Sequence, residues 1–471
     1  MKKIRAAIRQ VCAILLIMMV VLGAWLGYTV YSNGSRWVAS SQNKRILYAK
    51  RSVSMGDIID RNGIVLATTD ENGERQYHEN KSVRRAVSQT VGDQLSMSGT
   101  GVETFHANTL LGTSGSVISR AWQYVTGAGY QGDNIRLTVD SRLALYASKE
   151  FPSGKNGAVV VLNYKTGEVL CMVSKADYDP KSLSNRMESG EDTGTGYLNR
   201  CLQGQYAPGS VFKIVTLISA LENMGDAQER MFLCEGSENF GTGSVTCFGG
   251  TAHGGMTLMQ AFAKSCNVAF ASIAHELGAQ KLIATAENLC FNDDFRFRDI
   301  VLYPSSIPKT IESDYDLAWT GVGQGKLLAT PMHMALIAAA IGNGGMMVEP
   351  ELILQVTSVG NIPRLRTAPG DYKRVMQRET AEIVKEYMRL VVKSGTGKRA
   401  AVSGYTVCGK TGTAEVSDDK SVKTNAWFVG FVAEEECPYA IVVIVERGGS
   451  GGDAAAKLAA KVLKKATELA N

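Results

Sequence analysis

Ser210 and Lys213 stand three residues apart, directly after Pro208-Gly209 and at the start of a long apolar run. Proline and glycine interrupt the preceding chain, so the spacing predicts a buried helix over residues 211–225. Ser210 then falls in its first turn, with Lys213 on the same face. A serine hydroxyl is a weak nucleophile until a base takes its proton. A lysine desolvated in a cleft can have its pKa lowered enough to do so. At a helix N-terminus the Ser210 backbone N–H is also free to stabilise an oxyanion. The S-x-x-K pattern is common in itself: Ser41–Lys44 and Ser417–Lys420 repeat it, but neither opens an apolar helix.

Two further clusters follow. Ser265-Cys266-Asn267 lies 55 residues beyond Ser210, within QAFAKSCNVAFASIA, which reads as a helical stretch. A hydroxyl and an amide two residues apart at a cleft edge can pass a proton and hold a peptide carbonyl. Ser41-Gln42-Asn43 and Ser237-Glu238-Asn239 have the same form. Lys410-Thr411-Gly412-Thr413 follows 145 residues after Ser265, in YTVCGKTGTAEV. A lysine with hydroxyls along an edge strand makes a carboxylate clamp, and the glycine lets a substrate backbone approach closely. Lys165-Thr166-Gly167 repeats the triplet but reads as a hairpin turn. The 5 histidines show no metal-ligand spacing, so no metal or other cofactor is implied. His253 and His333 read as structural. Cys234 and Cys247 flank a Gly/Ser-rich loop of 12 residues that a disulfide would close. Most of the other cysteines outside the N-terminal apolar run sit in apolar segments as small hydrophobes.

Elements must hold these groups. GAVVVLN (157–163) and EVLCMVS (168–174) form one expected hairpin, AWFVGFVA (426–433) and YAIVVIVE (439–446) another. Helical patterns lie between them, and DAAAKLAAKVLKKATELAN closes the chain as an amphipathic helix. Hairpins early and late with helices between predict an α+β domain, an antiparallel sheet covered by helices.

At 471 residues the chain is about three times the ~150-residue prior for one domain, so two or three units are expected. Of the net charge of +5, Lys2, Lys3, Arg5 and Arg9 carry four, and no basic surface remains for a nucleic-acid partner. From Val11 to Tyr28 every residue is apolar, long enough to span a bilayer. Trp25, Tyr28 and Tyr31 mark its far end, and the basic residues before it place the N-terminus in the cytoplasm. GYTVYSNGSRW, after Leu26, has no A-x-A-like cleavage step, which argues against a cleaved signal peptide. The expected organisation is a cytoplasmic tail (1–10), a transmembrane helix (11–31), a small β-rich N-terminal domain (32–134) and a catalytic domain (135–471). Gly23 and Gly27 make a G-x-x-x-G step suited to a neighbouring membrane helix.

In the order S-x-x-K, S-x-N, K-T-G, the three clusters match the signature of penicillin-binding proteins and β-lactamases. GDIIDRNGIVLA, LTVDSRLALYA, NRCLQGQYAPGSVFK, GVGQGKLLATPMHMALIAAAIGNGG and NAWFVGF extend the match over nearly the whole chain. The chain resembles a class B penicillin-binding protein, a monofunctional D,D-transpeptidase of peptidoglycan. It resembles the shorter members without C-terminal sensor modules. Met55 stands where the family usually has arginine, and Ala144 where glutamine is common.

The resemblance implies a penicillin-binding transpeptidase fold on a pedestal, with Ser210 as nucleophile, Lys213 as general base and Ser265 as proton relay. Asn267 would bind the peptide backbone, and Lys410, Thr411, Gly412 and Thr413 the terminal carboxylate. It implies stem peptides ending in D-Ala-D-Ala as substrate, covalent inhibition by β-lactam antibiotics, and a polytopic glycan polymerase as partner in elongation, division or sporulation. The competing readings are a β-lactam-hydrolysing or β-lactam-sensing serine protein and a non-catalytic cell-wall scaffold. The first needs a residue that activates a deacylating water, and none is identified.

Overall fold

The computed structural model describes residues 2–38, 46, 48–50, 53–113, 131–183, 194–358, 362–364, 370–416, 419 and 421–470. The motif repeats at Ser41–Lys44, Ser41-Gln42-Asn43 and Ser417–Lys420 lie outside them. Helix α1 (Lys2–Val38) contains a window, Ile4–Val30, of mean hydropathy 2.4 and none of it buried, long enough to cross a membrane. The helix runs further at both ends than the apolar stretch alone predicts, because backbone hydrogen bonding continues into the polar flanks.

A mixed sheet follows. Its strands are β1 (Ile58–Ile59), β2 (Val65–Thr69), β3 (Arg75–Tyr77) and β4 (Asn134–Leu137). Two more come from far downstream, β12 (Ile353–Ser358) and β13 (Ile362–Pro363), giving the order β13-β12-β4-β1-β2-β3. β1 pairs β4 in parallel, and β12 pairs β4 antiparallel. The division expected at residue 134 therefore runs through a strand. Among the described residues the segment before it also carries short helices (Lys81–Ala86, Ser88–Val91, Val102–Phe105, Ala107–Leu110), so it is mixed rather than β-rich. Inside it Arg75 and Glu103 form an ion pair at 2.6 Å with side chains 1% and 0% exposed, and Tyr77 donates to the other Glu103 oxygen at 2.9 Å.

The larger sheet contains β5 (Gly157–Asn163), β6 (Val169–Lys175), β15 (Val407–Ala414), β16 (Asn425–Val432) and β17 (Tyr439–Val445). Their order is β15-β16-β17-β5-β6, every neighbour antiparallel. Both expected hairpins are present. β16 is buried at every residue because helices cover the sheet, which is why its sequence is apolar without alternation. Helix α2 (Lys213–Asn223) is buried from Lys213 to Ala220. Helices α3 (Leu258–Lys264) and α4 (Asn267–Leu277) follow, then α5 (Pro331–Gly342), apolar except for His333 and packed on β5, β16 and β17. α6 (Arg378–Lys393) packs on β15, and α7 (Ala454–Ala470) on β16 and β17. Two small ribbons stand between α2 and α3, β7 (Met231–Cys234) with β10 (Gly254–Thr257) and β8 (Ser237–Phe240) with β9 (Gly243–Thr246), and β11 (Met346–Val348) pairs with β14 (Asp371–Arg374) after α5.

Candidate active site

Ser210 sits in a 3-10 turn, Gly209–Phe212, and α2 begins only at Lys213. The serine was expected in the first α-turn, and the tighter turn is the usual way a helix start is wound. Gly209 has φ +55° and donates to Gly323 O at 2.9 Å. A Cβ there would lie 2.6 Å from Thr413 O, so only glycine lets this turn lie against β15. Ser210 is half-buried, and its hydroxyl has no hydrogen-bond partner among the described residues.

The stretch expected as one helix is broken. α3 ends at Lys264, Ser265 takes a left-handed φ of 59°, and α4 starts at Asn267 with Cys266 as its N-cap. The break has a geometric consequence. Residues two apart on a continuous helix diverge by about 200°, so Ser265 and Asn267 would face opposite sides. Across the break both face Lys213.

Lys213 Nζ donates to Ser265 O and to Asn267 Oδ1, each at 2.7 Å, and reaches Ser265 Oγ at 3.4 Å. Lys410 Nζ donates to the same Ser265 Oγ at 2.8 Å and to Thr411 O at 3.0 Å. Both lysines are fully buried, with no carboxylate partner among the described residues, each lying beside an aromatic ring, Phe270 and Phe262 respectively. Desolvation lowers the Lys213 pKa to about 7, against a smaller opposing electrostatic pull from Cys266 and Cys247. Burial, then the nearby Lys213, hold that of Lys410 well below its usual value. Asn267 Nδ2 donates to Thr246 O at 2.8 Å, tying α4 to β9.

Lys410 lies on β15, an edge strand of the larger sheet, as expected. Gly412 has a different neighbour from the one expected. A Cβ there would meet Pro208 O and Val211 Cγ1, each at 2.9 Å, so its missing side chain makes room for the turn that carries Ser210. Thr411 Oγ1 shares a 2.6 Å hydrogen bond with Thr396 Oγ1, and Thr413 Oγ1 accepts from Gly451 N at 3.3 Å. Thr396 was missed: its only signal is a Gly-Thr-Gly turn after α6. Ser210, Asn267 and Thr413 line a cleft of about 320 Å³, and Ser265, Thr396 and Thr411 line its continuation of about 270 Å³. A larger cavity of about 770 Å³, bordered by Glu222, Lys281 and Gln377, contains none of these groups.

His333 is structural, as expected. It is buried between Ser305 Oγ and Leu289 O, each at 2.7 Å, and desolvation lowers its pKa to about 4. Cys234 and Cys247 are not bridged. Their sulfurs stand 3.6 Å apart, beyond the ~2.05 Å of a disulfide, and both thiols are free. His253 lies against them rather than apart, with Nδ1 3.4 Å from Cys234 Sγ.

The family model of the penicillin binding protein transpeptidase domain matches residues 157–465. The chain is 26% identical over 463 residues to the peptidoglycan D,D-transpeptidase PbpA of Mycolicibacterium smegmatis, covering 94% of each chain. It is 26% identical over 488 residues to the PbpA of Mycobacterium tuberculosis, covering 98% of each. Among solved structures it is similar to penicillin-binding protein A of M. tuberculosis in its ceftriaxone acyl-enzyme complex. That match has a TM-score of 0.81 at 25% identity, over 89% of this chain and 99% of that one. The D,D-transpeptidase domain of a peptidoglycan glycosyltransferase from Eggerthella lenta gives a TM-score of 0.76 at 28% identity, over 88% and 99%.

Proposed function

From the premise that this chain belongs to the penicillin-binding protein transpeptidase family, we propose that Ser210 is its acylating nucleophile and Lys213 the base that activates it. The protein is a class B, serine-type peptidoglycan D,D-transpeptidase, inhibited by β-lactams that acylate it. The observation that carries the residue assignment is one hydroxyl, Ser265 Oγ, within reach of both buried lysines and lining the cleft that holds Ser210.

Ser210 Oγ attacks the carbonyl between the two terminal D-alanines of a stem peptide. Lys213 accepts its proton, which a pKa near 7 allows at neutral pH. The N–H groups of Ser210 and Thr413 take the oxyanion. Ser265 passes the proton to the departing D-Ala amine. Asn267 holds the peptide backbone, and Lys410 with the Thr411 and Thr413 hydroxyls holds the terminal carboxylate, whose charge favours the ammonium form of Lys410. The amine of a neighbouring stem then attacks the acyl-enzyme, forming the cross-link and freeing Ser210.

Labelling with a fluorescent penicillin tests the assignment. Wild type should carry one label that survives denaturing electrophoresis, and Ser210→Ala should carry none. Labelling of Ser210→Ala at another serine would refute the nucleophile, and rapid loss of the wild-type label would favour β-lactam hydrolysis.

The basic N-terminus supports a cytoplasmic start to α1, with the transpeptidase domain outside the membrane on its pedestal. The Gly23–Gly27 step supports contact with a polytopic glycan polymerase. Gly23→Leu with Gly27→Leu should weaken co-purification of that partner and leave membrane insertion intact. Unchanged co-purification would reject the contact.

A further inference from the structure

The cleft has two halves. The half of about 270 Å³ holds the groups assigned to the terminal carboxylate, Thr411 and Thr413, together with Ser265 and Lys264. Ser210 borders both halves, so the part of a donor stem that precedes its two D-alanines extends into the half of about 320 Å³. That half has a chemistry of its own. Phe248, Trp319 and Val322 give it apolar walls, Gln324 and Glu415 are polar, and among the described residues no lysine, arginine or histidine lines it.

Phe248 is held open to solvent. It is 78% exposed, in the 3-10 turn Phe248–Gly250 between β9 and β10. Gly249 and Gly250 continue that turn with left-handed φ of 65° and 69°, a path that side chains resist. An apolar ring on a glycine-built turn, bordering both halves beside Ser210, is placed to pack on whatever passes over the nucleophile. Glu415 stands just beyond β15, and Thr411, Thr413 and Glu415 follow at steps of two along one side of that edge strand. At about 3.3 Å per residue, Glu415 lies roughly 13 Å along the chain from Thr411. With its carboxylate at Thr411, an extended donor stem covers about 7 Å of this with its two D-alanines. The remaining ~6 Å is the reach of a four-carbon side chain that ends in a charge. Stems serve as both donor and acceptor, and the acceptor supplies an amine, so every stem has an amine-bearing side chain.

We propose that Phe248 and Glu415 determine donor specificity by reading a diamino acid immediately before D-Ala-D-Ala. Its methylenes pack on Phe248, and its free ammonium pairs with the Glu415 carboxylate. With no basic side chain in this half, a second carboxylate at the end of that arm is unmatched and counts against binding. The preferred donor therefore carries a plain ammonium, as in an L-lysine-type or amidated arm, rather than a diaminopimelate with its side-chain carboxylate free. A stem that has already served as acceptor has lost the ammonium to an amide, so it becomes a poor donor. The inference rests on the reading of Ser210 as the residue acylated by the donor stem.

The test gives the full-length chain acylated peptides ending in D-Ala-D-Ala, preceded by L-lysine, Nε-acetyl-lysine, norleucine, alanine or meso-diaminopimelate. Release of D-Ala and protection of Ser210 from a fluorescent penicillin are both measured. Wild type should favour lysine over norleucine, Nε-acetyl-lysine and diaminopimelate by about tenfold in kcat/KM, the low end for a hydrogen bond between charged groups. In Glu415→Gln the lysine-to-norleucine ratio should fall to within about twofold, and Glu415→Asp should keep part of it. In Phe248→Ala the norleucine-to-alanine ratio should fall by about three- to tenfold, and Phe248→Leu should restore most of it. Protection should rank the peptides in the same order. These are ratios, which a general loss of folding or activity does not move. Equal use of lysine and norleucine peptides by wild type, an unaltered ratio in Glu415→Gln, or a preference for diaminopimelate over lysine would overturn the proposal. A wild type that takes the penicillin label but neither cleaves nor is protected by any peptide would overturn it too, leaving the nucleophile assignment standing. A wild type that takes no label would overturn the acylation reading and the proposal with it.

Discussion

Lys213 and Lys410 address one oxygen, Ser265 Oγ, at 3.4 and 2.8 Å. Two buried ammonium groups so close, with no carboxylate between them, favour a state in which at least one is neutral. In the proposed mechanism, proton transfer from Ser210 needs that state at Lys213.

The acylation rate should therefore follow the neutral fraction of Lys213, whose pKa is about 7. The group is inactive when protonated. The rate should fall about tenfold per pH unit on the acid side of that value and level off above it. Stopped-flow acylation by a chromogenic cephalosporin checks this, and a rate that is flat through pH 7 would exclude Lys213 as the titrating base.

Asn267→Asp places a carboxylate where Oδ1 now accepts from Lys213 at 2.7 Å. An opposite charge at that distance stabilises the ammonium and should raise its pKa by about one to three units. The acid limb of the rate profile should move to higher pH by that amount, while the plateau rate is still reached at alkaline pH.

Lys213→Ala and Lys410→Ala should separate kinetically. Loss of the base should slow the chemical step by about 10²- to 10⁴-fold with little change in β-lactam affinity. Loss of the carboxylate clamp should weaken initial binding by roughly ten- to a hundredfold, equivalent to about 1.5–3 kcal/mol for a charged hydrogen bond. Saturation kinetics of acylation resolve the two constants.

Gly412→Ala should impair acylation more than it lowers the melting temperature. The new methyl group would press on Pro208 O and Val211 Cγ1 at 2.9 Å, displacing the turn that carries Ser210. The stability cost should be about 1–3 kcal/mol, as for other overpacked sites. An unchanged acylation rate would show that the turn tolerates the shift.

Glu103→Ala strands Arg75 in the first sheet's core, where the pair is 1% and 0% exposed. It should cost about 3–5 kcal/mol, because an unpaired buried charge remains. Thermal unfolding should register the loss, and the folded fraction should still acylate normally because neither residue lines the cleft.

The three motifs were legible because each is local: a residue spacing plus a hydrophobic run suffices to place Ser210, Lys213 and Lys410. The sheet of hairpins was legible for the same reason. The break at Ser265 was not, since QAFAKSCNVAFASIA contains no glycine or proline and its apolar positions run on. Tertiary contacts at Lys213 and the Cys266 cap override helix propensity there. The thiol–imidazole cluster escaped for a related reason. Its spacings of 13, 6 and 13 residues match no compact metal motif, because the four side chains come from separate ribbons and a helix break. Strands β12 and β13 lie more than 200 residues from β4, beyond the reach of pattern reading.

The pairing of β4 with β12 also orders events in time. A ribosome delivers residues 134–137 long before residues 353–358, so the first sheet has an open β4 edge while the intervening chain is synthesised. An open edge invites pairing with any passing strand. The N-terminal unit thus depends for its completion on sequence that belongs, by position, to the catalytic half, and a chain interrupted before residue 353 would leave both halves unfinished.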